Sequence, residues 1–207
     1  MALEPGPASL ALLRTAARIC AEDVSLAPVD ALRRAASRVG VTLDERFLDV
    51  DCARLEGEIR QYQLVFRPEQ LTVLRELRAE ALKAMDFLSA FSPRLVGSVL
   101  AGTADRQSTV TLHLFADTPE EVMTFLLTRN IPFTESDRRY QYRSGRQERV
   151  PVLSLVANEV PFDLVVFARP GIKEAPLGGG SRGSLMNRAS PSRLRSLLEE
   201  VAMPSSR

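Results

Sequence analysis

The chain has 207 residues, 45% of them hydrophobic and 26% charged, with a formal net charge of +1. That is enough apolar sequence for one sizeable core with a helical appendage, and a charge so near zero argues against DNA or another polyelectrolyte engaged through overall charge, leaving only a local basic patch. Two cysteines, Cys20 and Cys52, are too few for a disulfide framework or a zinc site and read as small buried residues of a reducing compartment.

The N-terminal stretch carries Glu4 and no basic segment, and its apolar run from Ala8 to Leu13 is broken by Arg14. It does not read as a signal peptide, and no apolar run approaches transmembrane length, so a cytoplasmic location and no membrane partner are expected. Helical spacing then runs through Ala8–Cys20 and Val29–Val39, with Gly40 placed to end the second helix. A third helix is predicted from Asp44 through Tyr62. Pro68 suits the first turn of a fourth, which carries Leu71, Leu74, Leu77, Ala81, Met85 and Leu88 in a single stripe. A stripe of this kind suits a membrane surface or a partner helix, but packing against the following domain is the simpler reading.

From Arg94 the period changes to that of strands, predicted over Arg94–Leu100 and Thr109–Ala116. Thr118-Pro119-Glu120-Glu121 reads as a capping box opening a helix from Glu120 to about Arg129. Three more strands follow at Phe133–Arg143, Arg149–Ala157 and Pro161–Phe167, with turns at Ser144-Gly145 and Asn158-Glu159. The glycine-rich stretch Gly178–Gly183 lacks the spacing and lysine of a phosphate loop and reads as a linker. Pro191 then starts a short amphipathic helix over Ser192–Val201. The expectation is an α+β protein with a helical region over 1–91, a mixed sheet with its helix over 92–169, and a linker and C-terminal helix over 170–207.

The chemistry concentrates in Leu95-Val-Gly-Ser-Val-Leu-Ala-Gly-Thr-Ala-Asp-Arg-Gln-Ser-Thr-Val-Thr-Leu-His-Leu-Phe115. Gly97-Ser98 lies ahead of a strand-like run, and side chains two apart on that run share a face, so Thr109 and Thr111 project together while Val110, Leu112 and Leu114 point the other way. This segment resembles the signature of the polymerase-β-like nucleotidyltransferase superfamily, in which a glycine-serine turn precedes two acidic residues one position apart on a strand. The resemblance extends over Arg94 to Phe167, about a third of the chain. It implies a sheet of nucleotidyltransferase-like topology, a nucleoside triphosphate ligand, and Mg2+ held by the strand carboxylates with a third from a later strand. The third matches Asp163 in Val160-Pro-Phe-Asp-Leu-Val-Val-Phe167, as metal ligand or base, while Thr109 and Thr111 occupy the first two positions. Gly97 and Ser98 would bind phosphate.

A hydroxyl is a weak ligand for a hard dication. Asp117 has the parity to substitute but lies about 20 Å along the strand from Thr111, and Asp105 sits in the preceding loop. The sequence thus implies a nucleotidyltransferase-like protein that transfers a nucleoside monophosphate poorly or not at all, with a silent binding or regulatory module of the same fold as the alternative. Ser98, Thr109, Thr111 and Asp163 are expected on one side of the sheet.

Arg138, Arg139, Arg143, Arg146 and Arg149 cluster about a hairpin with Tyr140 and Tyr142 between them. Alternation puts the tyrosines on one face and Arg139 and Arg143 on the other; arginines with aromatic residues can hold a triphosphate or single-stranded RNA, though a solvated hairpin face is the plainer reading. His113, the single histidine, shares parity with Thr111. A Ser98–His113–Asp163 hydrolase triad is conceivable, but the serine is not in a nucleophile elbow, and a half-buried, hydrogen-bonded histidine is the ordinary reading.

Overall fold

The computed structural model describes residues 7–22, 26, 28–43, 54–59, 69–178 and 185–202. Contacts divide the chain into two compact units, Met1–Leu71 with Gly178–Ser184 and Thr72–Leu177 with Leu185–Arg207. The helix before the sheet and the C-terminal helix therefore group with the sheet.

In the first unit, α1 (Pro7–Glu22) and α2 (Pro28–Val39) meet through small residues. Ala16 and Ala17 of one helix and Ala31, Ala35 and Ala36 of the other are buried beside Leu12, Leu13 and Leu32, and the short helix 54–59 (α3) adds Leu55 and Ile59. Gly40 ends α2 as expected. It takes the left-handed conformation, φ +73°, and lets the Val41 amide donate back to the Ala36 carbonyl at 3.0 Å. Cys20 is half-buried at the edge of this cluster. Cys52, Pro68, most of the predicted third helix and the glycine-rich stretch after Gly178 lie outside the described residues.

The second unit is built on a five-stranded mixed sheet in the order β1-β2-β5-β4-β3, with β1 at Arg94–Val96, β2 at Val110–Ala116, β3 at Thr134–Gln141, β4 at Gln147–Ala157 and β5 at Val160–Ala168. β2 and β5 run parallel, and every other neighbouring pair is antiparallel. With helices preceding the sheet, the α+β class holds.

Two local expectations need correction. The strand predicted over Arg94–Leu100 ends at Val96, because Gly97 at φ +75° turns the chain into a short helix, α5 (Gly97–Ala101). The end of that helix is secured from α4 (Glu69–Phe87), whose buried Arg78 donates from Nε to the Val99 carbonyl and from NH2 to the Leu100 carbonyl, both at 3.1 Å. At α6 (Pro119–Leu127), Thr118 is the extended N-cap and Pro119 fills the first turn, but the Thr118 side chain makes no capping bond. Glu121 is 3.6 Å from Arg169 instead, so the capping box does not close. The Asn158-Glu159 turn is as expected, with both residues at positive φ (50° and 65°), the geometry that suits the twist of a two-residue hairpin.

The two faces of the sheet differ. On one, Val110, Leu112 and Leu114 of β2 and Phe162, Leu164 and Val166 of β5 form a core with α4 and α6. The α4 stripe packs here through Leu74, Leu77, Ala81, Met85 and Leu88, whereas Leu71 is 38% exposed. The C-terminal helix α7 (Pro191–Ala202) joins the same core through Leu194. Just before it, Ala189 exchanges two 2.9 Å backbone hydrogen bonds with Leu95, at the β1 edge. On the other face, Phe115, Phe167, Tyr140, Tyr142, Val150, Val152 and Val165 form a smaller cluster beside a group of charged side chains.

Candidate functional site

The motif residues meet at the start of the parallel pair. Thr111 and Asp163 are register partners on β2 and β5, so their side chains share a face, and Val96, the last residue of β1, is opposite Thr111 on the other side. Gly97 follows at once, and a Cβ placed on it would lie 4.0 Å from the Thr111 hydroxyl. Gly97, Thr111 and Asp163 are thereby brought together, with Ser98 half-buried in the first turn of α5. Thr109, predicted to open the strand, precedes β2, which begins at Val110.

Both oxygens of Asp163 accept a hydrogen bond. Its Oδ2 accepts a hydrogen bond from Arg138 NH2 at 2.8 Å, and its Oδ1 accepts one from Ser154 Oγ at 2.7 Å. Ser154 faces Asp163 directly across β4 and β5. Arg138 comes from β3, where it lies opposite Val150. That is four positions along β4 from Ser154, or about 13 Å at the usual strand rise, so the contact requires the β3–β4 ribbon to curl over this face. Burial alone would lower the Arg138 pKa, but its interactions with Tyr140 and Asp163 outweigh that and raise it. The guanidinium is held firmly charged.

Behind this pair lies His113, completely buried. Arg188 Nε donates to its Nδ1 at 3.1 Å, which leaves the ring hydrogen on Nε2, 3.4 Å from the Tyr140 hydroxyl. Burial, then the charges of Arg188 and Arg138, push its pKa from 6.5 down to about 3, so the imidazole is neutral. The half-buried expectation is corrected to a fully buried one. Neither ring nitrogen is bonded to Ser98 or Asp163, and the hydrolase triad is not assembled. Arg188 also donates to the carbonyls of Gly171 and Glu174, and its buried NH2 has no acceptor. Burial, and the charge of Arg94 against the favourable pull of Tyr142 and Tyr140, leave its pKa lowered.

The other nominated arginines are elsewhere. Arg139 is opposite Arg149 in the β3–β4 ladder, exposed, and of opposite parity to Arg138. Arg143 is exposed in the turn beyond β3. The sequence pattern alone contained the signal for Arg138, since it shares parity with the inward Tyr140 and Tyr142. Nothing in the sequence pointed to Ser154 or Arg188.

A divalent ion does not fit this donor set. Of the three motif positions one is a carboxylate, and a guanidinium and a hydroxyl already occupy its two oxygens at 2.8 and 2.7 Å. Neither acid that the sequence offered as a substitute takes that place. Asp105 Oδ1 accepts from Ser108 Oγ and the Gln107 amide within its own loop, and Asp117 is paired with Arg169 at 2.7 Å. Among the described residues no three histidine, cysteine or acidic side chains are grouped to hold a metal. A cavity of about 380 Å³ lies on the opposite, helix-covered face between α4, the end of α6 and the β4–β5 hairpin, lined by Phe87, Leu126, Val156 and Asn158 among others. None of the motif residues lines it.

Compared with known proteins, the chain matches no family model, and no curated protein matches it. Among the described residues no helix is long and apolar enough to cross a membrane.

Proposed function

We propose that this protein carries a nucleotidyltransferase-like domain that binds a nucleoside triphosphate and transfers its nucleoside monophosphate poorly or not at all. The observation that carries the reading is the meeting of three motif positions from separate segments: Gly97 at the end of β1, Thr111 on β2 and Asp163 on the parallel neighbour β5. In such a site the glycine allows close backbone approach and the serine hydroxyl contacts phosphate, while transfer needs ions to neutralise charge during in-line displacement. With threonine at two motif positions and Asp163 tied to Arg138, that neutralisation has no metal-based route. The same ion pair favours the silent-module reading over the residual-enzyme one.

Transfer of label from α-labelled triphosphates to the protein itself or to a cell extract tests the proposal. The expected result is no labelling, or a trace. Robust magnesium-dependent labelling, lost in Asp163→Ala, would overturn it and establish an active enzyme.

A further inference from the structure

The side chains that exclude a metal from this face favour a different kind of ligand. Arg138 stands on this face beside Asp163, and Arg188 reaches it through its 3.1 Å bond to His113. Arg94, the register partner of His113 on β1, lies at the edge of the face, with its guanidinium on the Ser92 and Pro93 carbonyls. At the motif position they are opposed by a single carboxylate, Asp163. A dication approaching Asp163 meets the Arg138 guanidinium 2.8 Å from its oxygen, whereas an anion meets the same guanidinium as a ligand.

Arg138 is also suited to the task by how it is held. A guanidinium has five N–H donors in a planar fork. One is held by Asp163 at 2.8 Å, which orients the fork, yet 45% of the side chain remains open to solvent. Holding the fork in advance reduces the ordering entropy lost when a phosphate binds.

We infer that Arg138 does at this site what a metal ion does in a metal-dependent one, and that the site binds a polyphosphate anion directly, with no divalent ion. The inference rests on the nucleotidyltransferase-like reading for where the phosphate chain lies, beside Gly97 and Thr111, and not for how it is held. It has a consequence opposite in sign to that of a metal-dependent site. Magnesium neutralises part of a triphosphate's charge, so excess magnesium weakens binding here. Asp163→Asn removes a charge that repels the anion while its amide oxygen can still accept from Arg138, so binding is retained without the carboxylate.

Calorimetric titration of the full chain with ATP and with inorganic tripolyphosphate, each in EDTA and in excess magnesium, tests this. Binding is expected in EDTA and is weakened several-fold by magnesium. Arg138→Ala is expected to weaken it at least about tenfold, Arg138→Lys to keep part of it, and Arg139→Ala to leave it unchanged. Thermal melts of each variant verify folding. Binding that requires magnesium, or that is abolished by Asp163→Asn, overturns the inference while leaving the nucleotide reading in place. Tripolyphosphate bound in EDTA as tightly as any nucleotide upholds the inference and removes nucleotide specificity from the reading. No binding of either anion at millimolar concentration in EDTA, or binding undiminished in Arg138→Ala, overturns the inference.

Discussion

The two faces of the sheet solve different problems with the same five strands. Alternate residues of β2 and β5 send Leu112, Leu114, Leu164 and Val166 to one side, where helices cover them, and Thr111, His113, Asp163 and Val165 to the other. The helix-covered face is held by apolar area. The other combines a smaller apolar cluster with directional contacts, from Ser154 through Asp163 to Arg138, and from Tyr140 through His113 to Arg188. Burying apolar area stabilises without regard to direction, whereas a buried polar group helps only when its partners are placed. The first face should therefore carry most of the stability, and the second should respond more sharply to changes of charge and pH.

The largest effect should come from truncation on the helix-covered face. Leu164 is 1% exposed at the centre of that core, and Leu164→Ala should cost about 3 kcal/mol in chemical denaturation. Asp163→Asn, its neighbour on the opposite face, should cost about 1 kcal/mol or less, because 45% of the Arg138 side chain is open to solvent. Equal losses would erase the contrast.

The buried guanidinium of Arg78 is the exception on the apolar side. It satisfies two carbonyls at the end of α5, and Arg78→Met leaves them without those donors, so a loss of about 2 kcal/mol is expected in the same assay. A loss under half a kilocalorie would mean that other partners replace it.

On the polar face, the sharpest probe is acid. His113 titrates at 6.5 when unfolded and at about 3 in the fold, so protons bind the unfolded chain preferentially between those values. Its contribution is complete above pH 6.5 and is lost at up to roughly 1.4 kcal/mol per unit as pH falls toward 3. Urea midpoints measured from pH 7 to 4 should fall, and His113→Phe should flatten that slope even if it lowers the midpoint at neutral pH. A variant with an unchanged slope would contradict the assignment.

Much of this architecture was legible before any coordinates. Period 3.6 marked α1, α2 and α4, and period 2 put Thr111 and Val110 on opposite faces. The turn residues Gly40 and Asn158-Glu159 sit where φ is positive. What escaped was whatever depends on curvature and on partners distant in sequence. Parity separates Arg138 from Arg139, but only the curl of the β3–β4 ribbon brings the former to Asp163, and strand rise alone would place it too far away. The C-terminal segment carries Arg188 to His113 across 75 positions of sequence, a contact with no local signature. The Gly97 turn was recognised, but its conversion into α5 depends in part on Arg78 reaching from another helix.

The central claim is that Asp163 serves a guanidinium rather than a metal. It is tested most directly by titrating Mn2+, the paramagnetic substitute for magnesium, into the protein and following the free-ion signal by electron paramagnetic resonance. The account predicts that an equimolar amount of protein leaves that signal undiminished at micromolar concentration, and that Arg138→Ala alone does not create a tight site. Stoichiometric loss of the free-ion signal by the unmodified protein, reversed in Asp163→Asn, would contradict it.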